Sequence, residues 1–384
     1  MTNTARSGDY RALFTLPPEE RLRRFGDMRS LYPTRVVRRG VTVSEMAAGS
    51  PVEVSYRVEG RRFGIDDFIR RYPASGLLIL KRGRVVCERY ALGQTPRTPW
   101  ISFSMAKSIT STLIGAALHD GLIGSLDDPV VRTVPKLRDS AYDGVSIRDV
   151  LQMSTGVRWV ETYLDPASDR RKLMDLQALE QPGIVLDYMA RLPRVADPGT
   201  RFNYNTAETF LLGAILAGAV GRPLSEYLSE KIWQPCGMES DAYWQLESTD
   251  GQEFAGSGLS ATLRDYGRFG LFVMADGIVA GRRVLPIGWI AESSAAAPGS
   301  RLAPASGLPG FEPLGYGYQW WTFPRLHPRR AFGALGIFGQ QIYVDLDEAI
   351  VIVLNGAWPQ PVHDHSRLES YSFFEAATNA QRDR

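Results

Sequence analysis

The sequence has only two cysteines, Cys87 and Cys236, among its 384 residues. Two cysteines exclude a disulfide scaffold and a cysteine-based zinc site, and they fit a reducing compartment, although a single bridge between them stays open. Residues 1–27 lack an apolar core of signal-peptide length, and no run reaches the roughly 18 apolar residues of a membrane span. We therefore expect a cytoplasmic protein without a membrane partner.

An excess of one charge is also lacking, since 44 Lys and Arg residues oppose 42 Asp and Glu residues and leave a net charge of +2. This balance gives no electrostatic reason to expect nucleic acid as a partner. The sequence contains no Gly-x-Ser-x-Gly elbow and no glycine-rich phosphate loop after a strand, which argues against an α/β-hydrolase and a nucleotide site. The length permits a large core and two lobes, and the sequence leaves a homodimer open.

Lysine is scarce, and one of the five lysines, Lys107, lies three residues after Ser104. The pattern from Ser104 to about His119 predicts a helix, on which residues three apart share a face. The rest of that face is small and uncharged, which indicates burial. Burial lowers the pKa of a lysine, so its neutral amine could accept the proton of a serine nucleophile. A helix N-cap serine beside a snorkelling lysine explains the same four residues equally well.

Segments with strand composition lie toward both ends of the chain. They are residues 76–80 and 85–90, which predict a β-hairpin, and residues 317–321, 341–345 and 349–354. Helical patterns dominate the middle and the very end, over residues 206–220, 225–233 and 366–380. This order predicts an α+β fold, with an antiparallel sheet built from both termini, flanking helices and an inserted mostly helical domain. We assign residues 1–100 and 290–384 to the first domain and 101–289 to the second.

Four further segments match the motifs of one family in order and spacing. They are residues 151–157, 197–206, 258–270 and 336–341. With Ser104 and Lys107, they resemble the serine β-lactamase-related group of class C β-lactamases, penicillin-binding proteins and esterases. Glu161-x-Tyr163, Gln319-Trp320-Trp321 and the segment at Gly336 look most like the 6-aminohexanoate-oligomer hydrolases and related carboxylesterases. The resemblance covers roughly residues 75–358 and implies a serine β-lactamase-like fold.

The resemblance implies acyl-enzyme chemistry, with Ser104 as the nucleophile and Lys107 and Tyr204 as the acid/base pair. A neighbouring ammonium would lower the pKa of the Tyr204 phenol from its usual value near 10. The oxyanion hole would consist of the backbone N–H groups of Ser104 and Ile337. The substrate-binding residues that the resemblance implies are Tyr163, Asn205, Thr206, Trp321 and Gly336. For Tyr163 and Trp321, packing at a domain seam is an equal alternative. No metal and no organic cofactor is implied.

Two positions depart from the family pattern. Thr206 stands at the third position of the Tyr-x-Asn motif, which leaves Asn205 as the only amide there, and Ala334 stands where the edge strand has lysine or histidine. The cation that meets a substrate carboxylate in β-lactamases is therefore missing from that strand, with Arg329 or Arg330 as candidate substitutes. The departures favour an uncharged small amide or ester over a β-lactam.

The sequence thus predicts a serine hydrolase that cleaves a small amide or ester, with water as the deacylating nucleophile. A transacylase of secondary metabolism would form the same acyl-enzyme and transfer it to an amine or alcohol. A catalytically idle binding protein could have the same fold, and a true β-lactamase is less favoured. His363-Asp364-His365 has weak metal-ligand spacing, but we interpret it as a solvated C-terminal loop.

Overall fold

The largest sheet is built from the two ends of the chain. The computed structural model describes residues 12–300, 314–323 and 329–380. The strands of this sheet are β4 (Ala74–Lys81), β5 (Arg84–Tyr90), β11 (Gly315–Tyr316), β12 (Trp321–Thr322), β13 (Ala331–Gly336), β14 (Gln340–Asp345) and β15 (Ile350–Gly356). Within the described ranges they form seven antiparallel strands in the order β11-β12-β13-β14-β15-β4-β5. Ile79 of β4 lies opposite Ile352 of β15, so the predicted sheet from both termini is confirmed.

The described residues also form smaller sheets. Their strands are β1 (Thr34–Val37), β2 (Tyr56–Val58), β3 (Arg61–Phe63), β6 (Trp100–Ile101), β7 (Ala242–Gln245), β8 (Leu259–Ala261), β9 (Ile278–Val279) and β10 (Arg282–Arg283). Strands β1, β7, β8 and β6 form one sheet in that order, whereas β2 pairs with β3 and β9 with β10. The four-stranded sheet fixes the chain at Ile101, three residues before Ser104.

Eight of the twelve described α-helices lie between β6 and β11. The described helices are α1 (Ala12–Thr15), α2 (Pro18–Phe25), α3 (Ile65–Arg71), α4 (Met105–His119), α5 (Ile147–Leu151), α6 (Asp169–Gln177), α7 (Ile184–Met189), α8 (Thr206–Val220), α9 (Leu224–Leu228), α10 (Leu263–Met274), α11 (Trp289–Ser293) and α12 (Asp364–Asn379). The helix predicted over 225–233 is divided into α9 and a π-helical turn over Ser229–Trp233. The α+β fold is confirmed, and the domain boundaries stay a prediction.

The strand predicted over residues 317–321 is wrong, because the chain turns between β11 and β12. Gln319 adopts a φ of +62°, and the N–H of Gly317 donates to the carbonyl of Trp320 at 2.9 Å. The turn buries the Gln319 side chain, whose Nε2 donates to the carbonyls of Val150 and Leu151 at 3.1 and 2.9 Å. These tertiary hydrogen bonds stabilise a conformation that the β composition of the segment does not indicate.

The small-residue face of α4 is buried, as predicted. The hydroxyls of Ser108 and Ser111 donate to the carbonyls of Gln319 and Tyr318 at 2.6 and 2.7 Å. Farther along the same face, Gly115 packs against the Trp289 ring. Small side chains are required here because the turn after β11 and helix α11 approach the helix backbone closely.

Substitution Gly115→Ala should destabilise the protein. A Cβ atom at this position would lie 2.5 Å from a ring carbon of Trp289, and a buried indole has little room to move. We expect a free energy of unfolding lower by about 1 to 3 kcal/mol, measured by urea denaturation. In a Trp289→Leu background the same substitution should cost less, and an equal cost in both backgrounds would contradict the steric explanation.

Cys87 and Cys236 are both buried and unbridged. Across the described ranges, no single helix has the length and apolar character needed to cross a bilayer. Helix α8 and the segment Leu224–Trp233 meet the length and composition criteria only as a pair, across a 77° bend.

Candidate active site

Ser104 lies at the point where the chain passes from β6 into α4. The preceding residue, Phe103, has a φ of +43°, an uncommon conformation for a side chain other than glycine. Ser104 occupies the N-cap position of α4 and lines a cavity of about 360 Å³. Its backbone N–H therefore lies at the positive end of a 15-residue helix, a favourable place for a developing negative charge.

Lys107 is buried, with 1% of its surface exposed. Its Nζ donates to the carbonyl oxygen of Gly256 at 2.8 Å and to the hydroxyl of Thr206 at 3.1 Å. Burial lowers the pKa of the Lys107 amine to about 7, although the Glu161 carboxylate raises it in part. A substantial fraction of the amine is therefore neutral at neutral pH, and a neutral amine can accept a proton.

Tyr204 lies beside both residues. Its ring centroid is 5.3 Å from Lys107 Nζ, and it stacks on Trp321 with centroids 5.5 Å apart. Burial and the Glu161 carboxylate raise the pKa of the Tyr204 phenol, while a hydrogen bond with Ser104 lowers it. The predicted downward shift is wrong, because burial of the phenol itself and the nearby Glu161 carboxylate raise its pKa. At neutral pH the phenol retains its proton and is a donor.

The end of β13 approaches Ser104 closely. A Cβ atom on Gly336 would lie 2.5 Å from the carbonyl oxygen of Ser102 and 3.2 Å from the Ser104 nitrogen, so this position requires glycine. Ser104, Gly336 and Ile337 all line the cavity. The structure thus brings together the two residues predicted to supply the oxyanion hole.

Comparison with known proteins identifies the family. A sequence model of the family described as Beta-lactamase matches residues 65–371. The chain belongs to the β-lactamase family. Its similarity to the 6-aminohexanoate-dimer hydrolase of Paenarthrobacter ureafaciens is 31% identity over 352 residues, which covers 89% of this chain and 86% of the relative. Members with named activities are hydrolases, and this protein is accordingly a serine hydrolase.

Solved structures share the β-lactamase fold. A Bacillus anthracis protein named for the same dimer hydrolase activity superposes with a TM-score of 0.81 at 21% identity, covering 94% of each chain. EstCE1, described as a hydrolase with promiscuous acyltransferase activity, gives a TM-score of 0.63 at 17% identity over 82% of this chain and 96% of EstCE1. These likenesses confirm the predicted fold class.

Asn205 and Thr206, which the resemblance implied as substrate-binding residues, are not among the residues that line the cavity. Asn205 is fully buried and caps α8, because its Oδ1 accepts from the N–H groups of Ala207 and Glu208 at 2.9 and 3.3 Å. Asn205 followed by Glu208 is a sequence signature of a helix start, which favours this structural role. Thr206 is also buried and contacts Lys107. We therefore withdraw both as substrate contacts.

Neither candidate replacement for the missing family cation reaches the cavity. Arg329 pairs with Asp345, its Nε 3.0 Å from Oδ2, and Arg330 pairs with Asp347 at 2.8 Å. Both arginines precede β13, at the end of the strand opposite Gly336. The last helix instead brings Arg367 to the cavity, with its guanidinium 3.9 Å from Asp364.

The walls of the cavity include the two predicted aromatic residues, Tyr163 and Trp321. Sequence reasoning did not assign Gln341 to the site, although it ends the 336–341 motif, and it missed the residues supplied by the last part of the chain, where no motif marks them. These last residues are Trp358, Pro361, Val362, Arg367 and Tyr371. The His363 ring caps α12 through Ser366 rather than lying in a solvated loop, and no metal-binding cluster occurs among the residues that the structure describes.

Glu161 is a further cavity residue that was not predicted as part of the site. Its carboxylate accepts the N–H of Thr206 at 3.0 Å, the hydroxyl of Thr206 and the indole N–H of Trp159. The guanidinium of Arg170 lies 3.8 Å away. The only signal in the sequence was its place in the Glu161-x-Tyr163 segment.

Proposed function

We propose that the protein hydrolyses a small amide or ester through an acyl-enzyme on Ser104, with Lys107 and Tyr204 as the acid/base pair. The observation that carries the proposal is the convergence of three groups. The protonated Tyr204 phenol hydrogen-bonds Ser104 at the cavity wall, and the buried Lys107 amine, whose pKa is about 7, lies one helical turn after Ser104 and 5.3 Å from the Tyr204 ring centroid. Neither histidine nor a metal ion is needed for serine activation in this arrangement.

The proposed reaction consists of acylation of Ser104 followed by deacylation by water. The Ser104 oxygen attacks the substrate carbonyl while its proton passes to Lys107 Nζ, and the N–H groups of Ser104 and Ile337 stabilise the oxyanion. Collapse of this intermediate breaks the bond to the leaving group, which takes the Tyr204 proton, and the Lys107 ammonium restores that proton to the phenol. Water then attacks the acyl-enzyme, and the same pair carries its proton to Ser104.

The substrate class follows from the cavity. Its volume of about 360 Å³ suits a small molecule, and aromatic rings from Tyr163 and Trp321 form part of its wall. Ala334 leaves the edge strand without a cation, and Arg367 lies close to Asp364, which offsets its charge. An uncharged amide or ester therefore fits better than a β-lactam carboxylate, and the name of the Paenarthrobacter relative supports an amide.

Trapping the acyl-enzyme tests the proposal. After brief incubation with a p-nitrophenyl ester or a fluorophosphonate, mass spectrometry should find the adduct on the peptide that contains Ser104. An unlabelled peptide would favour the idle binding protein. A panel of amines added during ester turnover then separates hydrolysis from acyl transfer, because an amide product that grows with amine concentration would identify a transacylase.

The reaction should lose rate in acid. Lys107 accepts the serine proton only when its amine is neutral, and the pKa of that amine is about 7. We expect kcat/KM for an uncharged ester to fall about tenfold per pH unit well below pH 7 and to level off above it. Rates measured from pH 5 to pH 9 check this, and a flat profile would exclude Lys107 as the base.

A further inference from the structure

The hydrogen bonds of Lys107 fix the direction of its lone pair. A neutral amine has two N–H bonds and one lone pair at its tetrahedral nitrogen. The carbonyl oxygen of Gly256 can only accept, so one N–H points toward it at 2.8 Å. The second lies toward Thr206 Oγ1 at 3.1 Å. If Thr206 accepts this bond, the lone pair is left in the remaining tetrahedral direction and is free to receive the proton of Ser104, one helical turn before Lys107.

Glu161 determines whether the Thr206 hydroxyl accepts or donates the hydrogen bond that it shares with Lys107. A hydroxyl has one proton, and a carboxylate accepts hydrogen bonds but donates none. The Thr206 hydroxyl therefore donates to Glu161 Oε1 and has only lone pairs left for Lys107. The other carboxylate oxygen accepts the Thr206 N–H at 3.0 Å and the Trp159 indole N–H, which holds Glu161 in this orientation. The side chain of Glu161 is 10% exposed, so water competes little for these bonds.

We infer that Glu161 acts through the Thr206 hydroxyl as a positioning residue, orienting the Lys107 lone pair toward Ser104. The inference rests on the proposed acyl-enzyme function. In this arrangement Thr206 replaces the amide of the family motif with a hydroxyl whose proton is committed elsewhere. The family resemblance does not predict this link, because Glu161 and Thr206 are 45 residues apart in the chain.

The groups around Lys107 and Glu161 influence the Lys107 pKa that a pH profile of the reaction would report. Lys107 is influenced by Glu161, which raises its pKa, and by Arg170, which lowers it, and the Tyr204 ring lies beside it. Glu161 faces Arg170 at 3.8 Å and hydrogen-bonds Tyr163. Removing the Glu161 charge should thus lower the pKa of Lys107, independently of any effect on lone-pair direction.

The substitution Glu161→Gln should reverse the direction of the hydrogen bond between the Thr206 hydroxyl and residue 161. The amide oxygen would accept the two N–H groups now bound by Oε2, which leaves the amide nitrogen opposite Thr206 Oγ1 as a donor. The Thr206 proton would then turn to the Lys107 lone pair and occupy it. We expect the plateau of kcat/KM to fall about 10- to 100-fold while the acid limb of the profile moves to lower pH. A merely structural defect would not move the limb.

Variants of Thr206 separate orientation from charge. Thr206→Ser keeps the hydroxyl and should stay within about threefold of the wild type, whereas Thr206→Val should lose about as much plateau activity as Glu161→Gln without moving the limb to lower pH. The double variant should be no slower than Thr206→Val alone, because both substitutions act through one hydroxyl. Glu53→Gln, which removes an exposed carboxylate, is the matched control and should behave as wild type.

The kinetics of these variants separate the role of Glu161 from the proposed acyl-enzyme function. A Glu161→Gln variant that keeps the wild-type plateau of kcat/KM, a fully active Thr206→Val or additive losses in the double variant would overturn this inference. If Glu161→Gln does not fold, as judged by circular dichroism, the comparison of Thr206→Val with Thr206→Ser decides alone. Acylation that survives Ser104→Ala would instead refute the proposed function, whereas an inert Ser104→Ala together with a fully active Thr206→Val refutes only the role of Glu161.

Discussion

Ser104→Ala should reduce kcat/KM for a p-nitrophenyl ester by about 10⁴-fold or more, to little above the rate of the buffer. Covalent catalysis divides a difficult hydrolysis into two easier steps, and without the hydroxyl no acyl-enzyme can form. The residual rate would come from the oxyanion donors and substrate binding alone. Steady-state kinetics over a range of ester concentrations gives this number directly.

Ser108→Ala is the matched control for this result. Ser108 lies on the same buried face of α4, but its hydroxyl donates to the Gln319 carbonyl at 2.6 Å. We expect that variant to keep its rate within a few-fold of the wild type, with a somewhat lower melting temperature. Equal losses in the two variants would mean that both act through stability, and the nucleophile would then have to be sought elsewhere.

Lys107→Met should be nearly as damaging, with kcat lower by about 10³-fold or more. Methionine matches the length of the lysine side chain but cannot take the serine proton, so the nucleophile would have to attack as an unassisted hydroxyl. Any remaining activity should also lose the acid limb near pH 7, because the group that produces it is gone. The pH profile and kcat, measured with the same ester, test both consequences.

Two control measurements accompany the prediction for Lys107→Met. Lys172→Met, at an exposed position on α6 that does not line the cavity, also removes a lysine charge and should leave kcat unchanged. Thermal unfolding of Lys107→Met must show a cooperative transition, since Gly256 and Thr206 lose a hydrogen-bond donor. A folded Lys107→Met variant that keeps a tenth of its activity would assign the base to another group.

The sequence predicted what depends on local pattern. Periodicity and small residues located α4 and its buried face, and a helical pattern over residues 206–220 located α8. The family motifs also led to Ser104, Lys107 and Tyr204, which the structure brings to one place. Each helix, and each motif taken by itself, is encoded within about fifteen residues, a distance over which pattern and structure correspond.

What the sequence did not predict depends on contacts between distant segments. The turn at Gln319 exists because α5 offers two carbonyls to its side chain, and nothing between residues 317 and 321 records that. Arg367 reaches the cavity only because α12 packs beside the sheet. The downward shift expected for Tyr204 failed for a similar reason, since the distant residues Tyr316 and Trp321 pack against its ring, and burial raises the pKa of the phenol.

The pairing of β4 with β15 has a consequence for protein synthesis. About 270 residues separate the partners, and a ribosome adding roughly 5 to 20 residues per second needs about 14 to 54 s to make them. Throughout that time an apolar strand has a neighbour on one side only, and its open edge can join another nascent chain. A message truncated before the codon for Ile350 would leave that edge open permanently, so such fragments should accumulate as aggregates.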